Sequence, residues 1–327
     1  MVKNLITGVG GFVASHLAEL LLKKGEDVYG TYRWNEDLSR INSLKEKIKL
    51  IPMDLNDAWS CLKAIEETKP DYIFHLAAQS YVSDSYIYPS ETIKINTIGT
   101  LHLLEAVRIT RDRDSQFDPV IHVCSTSEVY GLVGDEDIPI KETTRLNPSN
   151  PYAVGKVGTD MLALMYWTNY KIKTIRTRMF THTGPGRTMM SAECNFARQI
   201  ALIEQEKQLP IINHGNLDSV RTWADVRDAV RAYYILVRKC TIGEVYNIGG
   251  NVTKTIGEML DYLISLSPMK DKIQKFQDQK LMRPYDVSLQ IPDVSKFEKE
   301  THWKPEYTFE QTMFDLLQWW RKEEGAK

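Results

Sequence analysis

The N-terminal 25 residues constrain the fold more than any other part of this sequence, because a strand pattern passes through a glycine turn into a helical pattern. Residues 3–7 have the composition of a short buried strand, and residues 13–22 carry apolar side chains at helical spacing before Gly25. Three of the four residues from 8 to 11 are glycine. A strand, a glycine turn and a helix in this order predict the first unit of a parallel α/β sheet.

Strand and helix patterns continue to alternate over the first half of the chain. Parallel strands need crossover connections, and helices in those connections cover both faces of the sheet. The alternation predicts an α/β fold, a Rossmann-type doubly wound parallel sheet with a smaller α/β substrate-binding domain. The further strand patterns cover residues 27–32, 48–54, 72–76, 120–124 and 174–178, and a helical stretch covers residues 101–107.

The regular alternation weakens after about residue 180, where a second portion of the chain is expected to begin. Residues 184–186 predict a loop, residues 195–207 and 225–238 predict helices, and residues 281–286 predict an ordered loop. We expect two domains that share an interface, because no flexible linker or repeat separates them. The Rossmann domain is predicted at 1–180 plus about 220–250, and the second domain at about 181–219 plus 251–327.

Composition limits the kinds of partner that the chain can bind. The net charge is -2, so we expect no strongly positive surface for nucleic acid or an anionic membrane. No apolar run approaches the roughly 20 residues of a membrane span, and no basic leader precedes the first strand. The four cysteines are scattered, which argues against a zinc site or a disulfide framework. We expect a cytoplasmic protein without a bound metal that acts on a small molecule.

The glycine turn predicts a dinucleotide-binding site. Gly8, Gly10 and Gly11 allow the backbone to turn tightly and to approach the oxygens of a pyrophosphate. Phe12 and Val13 open the following helix, whose N-terminal amides and positive dipole end attract the same group. The plain alternative is a strand-to-helix turn that binds no ligand.

The residues after the second and third strands bear on which dinucleotide binds. An acidic side chain at the end of the second strand would bind ribose hydroxyls, but the first carboxylate here is Glu36. Arg33 can pair with the 2′-phosphate of NADP instead, unless it is simply a solvated loop cation. Asp54, followed by Leu55, is placed to accept a hydrogen bond from adenine, or else to cap a turn. The sequence thus favours NADP as cofactor.

A tyrosine and a lysine four residues apart are the main catalytic candidates. Tyr152 and Lys156 would lie on one face of a helix, where the ammonium can lower the pKa of the phenol and hold a nicotinamide ribose. Upstream, Thr126, Ser127 and Glu128 follow a predicted strand, at the edge where open α/β sheets place their sites. The alternatives are a surface Tyr/Lys pair and an exposed glutamate at the start of a loop.

Together these motifs resemble the extended short-chain dehydrogenases/reductases over nearly the whole chain. The resemblance is carried by the glycine turn, residues 75–78 (His-Leu-Ala-Ala), residues 125–131 (Ser-Thr-Ser-Glu-Val-Tyr-Gly) and the Tyr152/Lys156 pair. Within that group the sequence is most similar to GDP-mannose 4,6-dehydratases and GDP-4-keto-6-deoxyhexose reductases. The resemblance implies that the second domain binds a nucleotide sugar. The residues that it adds to the cofactor site are Leu76, Ala77 and Ala78.

The resemblance also implies a reaction. In a dehydratase, Tyr152 assisted by Thr126 and Lys156 takes the proton of the 4-hydroxyl while carbon 4 is oxidised, and Glu128 then removes the proton from carbon 5. Water leaves carbon 6 with help from Glu128 or Ser127, which yields a 4-keto-6-deoxy sugar. We therefore predict a lyase, an NADP-dependent nucleotide-sugar 4,6-dehydratase, with GDP-linked mannose or a GDP-linked N-acetylhexosamine as substrate.

Two other functions remain open at this point. An NADPH-dependent GDP-4-keto-6-deoxyhexose reductase or epimerase/reductase would use the same Tyr152 and Lys156 but would not need Glu128. A non-enzymatic NADP-sensing or scaffold protein would leave the whole Thr/Tyr/Lys set idle. The glutamate close to Thr126 therefore favours the dehydratase.

The charge of a diphosphate and the resemblance indicate the substrate-binding residues. Arg221 and Arg283 have planar guanidinium groups that match phosphate oxygens, although salt bridges to Asp225 and Asp286 are the alternative. The predicted substrate-binding residues are Ser80, Thr181, Asn195, Arg198, Asn216, Arg221 and Arg283.

Three features depart from the family pattern. Ala14 replaces the usual third glycine, at a position that needs only a small residue for helix packing. Thr181 stands where the family generally has an asparagine that contacts the nucleotide sugar, which leaves the identity of the sugar open. The segment after Arg33 is shorter than the loop through which GDP-mannose dehydratases form tetramers, so we expect a homodimer and leave a tetramer open.

Overall fold

A seven-stranded parallel sheet is the largest sheet within residues 1–282 and 289–325, the part of the chain that the computed structural model describes. The strands of all the sheets are β1 (Lys3–Thr7), β2 (Asp27–Tyr32), β3 (Lys49–Pro52), β4 (Tyr72–His75), β5 (Val120–Thr126), β6 (Thr174–Met179), β7 (His182–Thr183), β8 (Ile211–His214), β9 (Val220–Asp225), β10 (Val245–Ile248), β11 (Val252–Thr255), β12 (Gln274–Gln277) and β13 (Leu289–Gln290). From edge to edge, the large sheet has the order β10, β6, β5, β4, β1, β2, β3. The chain therefore builds the sheet outward from β1 in both directions, which confirms the predicted doubly wound fold.

Helices cover both faces of the large sheet. The α-helices of the described residues, in both portions of the chain, are α1 (Phe12–Lys23), α2 (Ala58–Thr68), α3 (Val82–Ile87), α4 (Pro89–Ile93), α5 (Gly99–Arg113), α6 (Pro151–Tyr170), α7 (Ala192–Glu204), α8 (Val226–Lys239), α9 (Ile256–Ser265), α10 (Ser295–Thr301) and α11 (Phe309–Gly325). On one face, α1 packs against α8 around a core that includes Leu17 and Tyr233. On the other face, α2, α5 and α6 enclose Leu103 and Ala163. Among the described residues, no helix is both long and apolar enough to cross a bilayer.

The second portion of the chain has its own sheets and its own core. β7, β11 and β13 pair with β9, and β8 pairs with β12. Helices α7, α9 and α11 pack together around buried side chains that include Phe196, Leu260 and Leu316. β10 belongs to the large sheet and α8 packs against that sheet, whereas β9 belongs to the smaller sheet. The two-domain division stays a prediction. Because β9 pairs within the smaller sheet, we place the point at which the chain re-enters the Rossmann domain at Val226 instead of at about residue 220.

The structure shifts the bounds of several predicted elements by a few residues. β5 continues beyond the predicted 120–124, so Thr126 is itself the last strand residue. α7 begins at Ala192, earlier than the predicted start at residue 195, with Glu193 in its first turn where the helix dipole favours a carboxylate. Of the ordered loop predicted at 281–286, residues 283–286 lie outside the described residues.

A buried group of charges ties α6 to β6. Asp160 is 0% exposed, and its two oxygens accept from Nη1 of Arg176 at 2.9 Å and from Nε of Arg178 at 2.8 Å. Both guanidinium groups are also more than nine-tenths buried. Because α6 carries Tyr152, this contact fixes the position of the predicted catalytic helix on the sheet. Removal of the carboxylate would leave two buried positive charges without their counterion.

We expect Asp160→Asn to lower the free energy of unfolding by roughly 3–5 kcal/mol, the usual cost of breaking a buried ion pair. Urea denaturation followed by circular dichroism measures this change. Asp118→Asn is the matched control, because Asp118 pairs with Lys173 at 2.7 Å with both side chains 39% exposed. That surface pair should contribute no more than about 1 kcal/mol. Equal losses in the two variants would contradict the prediction.

Candidate active site

The glycine turn lies against the end of β4. Gly8 has a φ of 68°, a conformation that favours glycine, and a Cβ atom placed on it would lie 3.1 Å from the Cβ of Ala77. The Thr7 hydroxyl holds this contact together, because it accepts the backbone amides of Leu76 and Ala77, each at 3.0 Å. Ala78 follows in the same partly exposed segment. The structure thus brings the predicted 76–78 segment to the glycine turn.

The N-terminus of α1 opens from the same turn. Gly11 is its N-cap residue and provides no side-chain hydrogen bond to the first-turn amides. Phe12 and Val13 begin the helix and are partly buried. Close backbone approach and N-terminal amide donors are the features that a dinucleotide pyrophosphate requires. The residues present therefore fit the cofactor that the sequence predicts.

The Glu36 side chain lies against the glycine turn, although Glu36 does not belong to β2. A Cβ atom placed on Gly10 would lie 2.8 Å from Oε1 of Glu36, and Oε2 of Glu36 accepts the Arg33 amide at 2.9 Å. The chain turns back here through Asn35, whose φ is 66°. The end of β2 carries no carboxylate, as the sequence indicates, but the next one along the chain lies against the glycine turn. Its negative charge opposes a 2′-phosphate unless the side chain moves, whereas the exposed Arg33 side chain favours one.

Arg40 is a cation at the cofactor turn that the sequence did not single out. Its Nε donates to the Gly186 carbonyl at 3.0 Å, and its Nη1 donates to the Gly10 carbonyl at 3.4 Å. Arg40 therefore joins the glycine turn to the loop that follows β7. No sequence motif marks it, because Gly186 is 146 positions away along the chain.

Asp54 and Leu55 make local contacts after β3. Asp54 Oδ1 accepts the Asn56 amide at 2.8 Å, which is the hydrogen bond of a turn-capping aspartate. Leu55 is buried, and its carbonyl accepts from Nδ1 of His102 on α5 at 2.7 Å. The turn-capping alternative thus describes Asp54 in this structure. A contact of Asp54 with adenine stays a prediction.

The end of β5 and the first turn of α6 bring three predicted catalytic side chains together. Thr126 ends β5, and its side chain acts on the phenol of Tyr152 and accepts the Glu128 amide at 3.3 Å. The charge of Glu128 also acts on this phenol. α6 begins behind its N-cap residue Asn150, whose Oδ1 accepts the Ala153 amide at 2.8 Å. Local capping therefore sets the position from which Tyr152 enters the site.

Desolvation governs the protonation of Tyr152 and Lys156. It raises the pKa of the Tyr152 phenol, and the lowering contributed by Thr126 and Arg187 does not compensate. Desolvation also lowers the pKa of the Lys156 ammonium, which donates to the Cys124 carbonyl at 2.5 Å. The expectation that Lys156 lowers the pKa of the phenol does not hold in this structure, where desolvation raises that pKa and the ammonium donates to a carbonyl instead. Tyr152 is accordingly a protonated phenol here.

Two side-chain amides hold Glu128. Asn150 Nδ2 donates to its Oε2 at 3.2 Å, and Gln290 Nε2 donates to its Oε1 at 2.9 Å. Ser127 is buried, and its hydroxyl donates to Oε1 of Gln290 at 3.1 Å. The exposed-loop alternative for Glu128 therefore does not describe this structure. Glu128 is an oriented carboxylate in the predicted site.

A cluster around Phe12 was not predicted from the sequence. The His182 ring stacks on Phe12 with the ring centroids 6.3 Å apart, and the Arg187 guanidinium lies 5.7 Å from the Phe12 centroid. Arg187 also donates to the His182 carbonyl and pairs with Glu193 at 3.1 Å. Desolvation lowers the pKa of His182 to about 4, so its imidazole is neutral. The Gly-Pro-Gly loop before Arg187 is the sequence signal that could have indicated this cluster.

Some predicted substrate-binding residues have structural partners of their own. Thr181 lies between β6 and β7, and its carbonyl accepts the Ala224 amide at 3.0 Å. Asn195 and Arg198 lie on α7, where Nε of Arg198 pairs with Glu324 of α11 at 2.8 Å. Arg198 therefore has an ion pair within the second domain, which weakens its assignment to the substrate.

The other predicted substrate-binding residues lie on loops and on β9. Asn216 Oδ1 accepts the Asp218 amide at 2.9 Å, and Arg221 lies on β9. Asp225, the alternative partner that the sequence offered for Arg221, pairs with Arg227 at 2.7 Å. Ser80 is exposed in the loop before α3. Arg283 and Asp286 lie outside the described residues.

A doubly wound sheet with a glycine turn and a Tyr/Lys helix beside a strand-end threonine is the arrangement of the extended short-chain dehydrogenases/reductases, and this chain is an enzyme of that class. A sequence model of the family described as GDP-mannose 4,6 dehydratase matches residues 5–316. The chain therefore belongs to the GDP-mannose 4,6-dehydratase family, whose members use NAD or NADP.

Relatives with two different activities are similar to this chain. The GDP-mannose 4,6-dehydratase of Yersinia enterocolitica is 30% identical, over 97% of this chain and 93% of that protein. The GDP-6-deoxy-D-mannose reductase of Pseudomonas aeruginosa is also 30% identical, over 96% of each protein. The solved structure of RMD from Pseudomonas aeruginosa complexed with NADPH has a TM-score of 0.82 at 28% identity, covering 99% of this chain and 100% of that chain. Similarity alone therefore does not choose between dehydration and reduction.

Proposed function

We propose that this protein is an NADP-dependent 4,6-dehydratase that acts on a GDP-linked hexose, either mannose or an N-acetylhexosamine. The observation that carries the proposal is the Glu128 carboxylate, which two side-chain amides orient just after Thr126 and whose charge acts on the Tyr152 phenol. Elimination of water needs a base at carbon 5, whereas hydride transfer at carbon 4 needs only the phenol and its partners. Glu128 is therefore the residue that separates the two reactions found in this family.

The residues that would hold NADP lie in the glycine turn and helix that follow β1 and just after the end of β2. Gly8, Gly10, Gly11 and the first turn of α1 would bind the pyrophosphate, and Arg33 would pair with the 2′-phosphate. The relative solved with NADPH supports this choice of cofactor. A bound nicotinamide would supply the hydride acceptor for carbon 4 and the hydride donor for carbon 6, so no external reductant would be consumed.

Tyr152 exchanges a proton with the 4-hydroxyl of the sugar. Thr126, whose side chain acts on the phenol, would orient it toward the substrate. In this structure Lys156 is bound to the Cys124 carbonyl. We propose that the ammonium leaves this carbonyl when the site is filled, because a cation nearer the phenol would favour the phenolate that accepts the proton.

Glu128 carries out the elimination. A ketone at carbon 4 makes the proton at carbon 5 acidic, so Glu128 takes this proton and the electron pair of the C5–H bond forms an enolate. The enolate expels the 6-hydroxyl, which receives the proton back from Glu128 and leaves as water, and a double bond joins carbons 5 and 6. Hydride addition at carbon 6 and protonation at carbon 5, which balances the proton that Tyr152 took from the 4-hydroxyl, complete the 4-keto-6-deoxy sugar.

The reductase relative supports a second candidate function. In that case the protein would consume NADPH to reduce a 4-keto-6-deoxy GDP-sugar, with or without epimerisation. Tyr152 and Lys156 would serve this reaction equally well, but the two amides that orient Glu128 would have no evident purpose.

Incubation with GDP-, CDP-, UDP- and dTDP-linked hexoses, without added NADPH, tests the proposal. A dehydratase converts one of these sugars to a keto product, which mass spectrometry detects as loss of water. A reductase does not turn over until NADPH and a 4-keto-6-deoxy sugar are supplied. Turnover only under the second condition would replace the dehydratase with the reductase.

The cofactor preference gives a separate prediction. Arg33→Ala should weaken NADP binding by roughly tenfold or more, the effect of losing a hydrogen bond to a charged group, and should weaken NAD binding less. Glu36→Gln should strengthen NADP binding, because it removes the carboxylate next to Gly10. Fluorescence titration with each cofactor measures both effects. Equal loss of NADP and NAD binding in Arg33→Ala would show that Arg33 does not bind the 2′-phosphate.

We also propose a cytoplasmic homodimer, with a tetramer left open. Apolar side chains that are more than one third exposed on α4, α6 and the turn before α5 support self-association through this side of the molecule. They are Ile93, Ile98, Val154 and Met161. Sedimentation velocity measures the state, and a monomer at micromolar concentration would contradict the dimer.

A further inference from the structure

Gln290 connects two of the predicted catalytic side chains although it lies far from them in sequence. Its Nε2 donates to Oε1 of Glu128 at 2.9 Å, and its Oε1 accepts from the Ser127 hydroxyl at 3.1 Å. The residue is 3% exposed. A buried glutamine that uses both ends of its amide on neighbouring polar groups is fixed in one orientation.

The backbone on both sides of this glutamine is anchored. β13 pairs in parallel with β9, which places Gln290 opposite Arg221. Beyond it, the Ile291 carbonyl accepts the Ile140 amide, and the Asp293 amide donates to the Ile140 carbonyl, both at 2.8 Å. β13 and the residues after it are thus held by β9 and by the backbone of Ile140, so the Gln290 side chain cannot withdraw without breaking these contacts.

The Glu128 carboxylate determines which end of the amide faces it, and Ser127 holds the other end. A carboxylate only accepts, so Nε2 of Gln290 must meet it, and the Ser127 hydroxyl then donates to Oε1 of Gln290. A flipped amide would set an oxygen against a carboxylate oxygen, which is repulsive. Ser127 therefore acts through Gln290, and its proton is already engaged in this structure.

The other oxygen of Glu128 is oriented from the opposite side. Asn150 Nδ2 donates to Oε2 of Glu128, while Asn150 Oδ1 caps α6 at the Ala153 amide. One amide donor on each oxygen fixes the plane of the carboxylate relative to the helix that carries Tyr152. Such preorganisation matters for a base, because proton transfer depends on alignment of the acceptor lone pair with the C–H bond.

We propose that Gln290 is a positioning residue that directs Glu128 at carbon 5 of the sugar, and that Ser127 fixes the amide of Gln290. This inference rests on the proposed dehydratase function. Gln290 is also the register partner of Arg221, so the same pair of strands carries the predicted diphosphate contact and the support of the base.

The test isolates the base step from hydride transfer. When the 4-keto-6-deoxy product is incubated with enzyme in heavy water, its carbon 5 proton exchanges for deuterium if an oriented base removes it. Gln290→Met, which keeps the volume of the side chain but removes both hydrogen bonds, should slow this exchange roughly 10- to 100-fold. The kcat for dehydration should fall by a similar factor, while KM and the affinity for GDP should change less than about threefold.

Two further variants distinguish positioning from general loss of structure. Thr222→Val removes a partly buried hydrogen bond to Thr253 from the same small sheet, and it should leave carbon 5 exchange at the wild-type rate. Ser127→Ala should slow the exchange less than Gln290→Met. The double variant of these two residues should be no slower than Gln290→Met alone, since both changes remove the same support.

Each outcome bears either on the positioning role of Gln290 or on the dehydratase function. Wild-type exchange and dehydration in Gln290→Met would overturn the positioning role while the dehydratase function stands. An equal decrease in Thr222→Val, or additive effects in the double variant, would overturn it in the same way. Should Gln290→Met fail to fold, Ser127→Ala decides the matter, because unchanged exchange in that variant would also overturn the proposal. Failure of the wild-type protein to dehydrate any sugar would instead remove the proposed function itself.

Discussion

Tyr152→Phe is expected to lower the turnover of the dehydratase about a thousandfold, because it removes the hydroxyl that exchanges a proton with the substrate. The aromatic ring remains, so the packing around residue 152 is kept and only the hydroxyl is lost. Affinity for NADP should therefore stay within a few-fold of wild type. Initial rates by mass spectrometry and cofactor titration by fluorescence measure the two effects separately.

Tyr166→Phe is the matched control for this variant. Tyr166 lies on the same helix, but its hydroxyl donates to Oε1 of Glu105 at 2.5 Å and belongs to the packing of α6 against α5. Its loss should leave turnover close to that of the wild-type enzyme. If Tyr152→Phe also turned over at the wild-type rate, the phenol would have no part in the chemistry.

Glu128→Gln should abolish most of the release of water, by roughly a hundredfold or more, because the amide cannot accept the carbon 5 proton. The amide also presents its N–H group to one of the two donors, Asn150 or Gln290, so the side chain keeps only one of the two hydrogen bonds that orient Glu128. Oxidation at carbon 4 should persist, because Tyr152 and Thr126 are unchanged. Rapid mixing should then show reduced nicotinamide accumulating without loss of water from the sugar.

Glu105→Gln provides the corresponding control, since Glu105 is a carboxylate on α5 that accepts hydrogen bonds from Arg108 and Tyr166. Removal of its charge should leave the release of water unaffected. Wild-type rates of dehydration in Glu128→Gln would show that another group is the base. Complete loss of carbon 4 oxidation as well would show that Glu128 acts earlier than proposed.

The parts of this structure that depend on neighbouring residues could be predicted from the sequence. The turn at Gly8 to Gly11 needs only the strand before it and the helix after it, and each is encoded by a local apolar pattern. Tyr152 and Lys156 share a helix face because of their spacing alone. Thr126 to Glu128 reach the site because parallel strands present their carboxyl ends at one edge.

The parts that depend on distant contacts could not be predicted. Gln290 meets Ser127 across 163 positions of sequence, and no motif surrounds it. Glu36 reaches Gly10 because the chain turns back through Asn35, which a count of residues from the second strand does not reveal. The protonation of Tyr152 was misjudged for a similar reason. It depends on desolvation and on the Cys124 carbonyl that binds Lys156, and neither is visible in a Tyr-x-x-x-Lys spacing.

The late arrival of β10 has a consequence for synthesis on the ribosome. β10 pairs with β6, yet the chain reaches it only after building α7, β8, β9 and α8. Until Ile248 has emerged, the outer edge of β6 has no covering strand, although all six of its residues are buried in the finished protein. An uncovered strand edge presents unpaired backbone N–H and C=O groups that can pair with other chains. Fragments that stop before Val245 should therefore aggregate instead of yielding an isolated nucleotide-binding half.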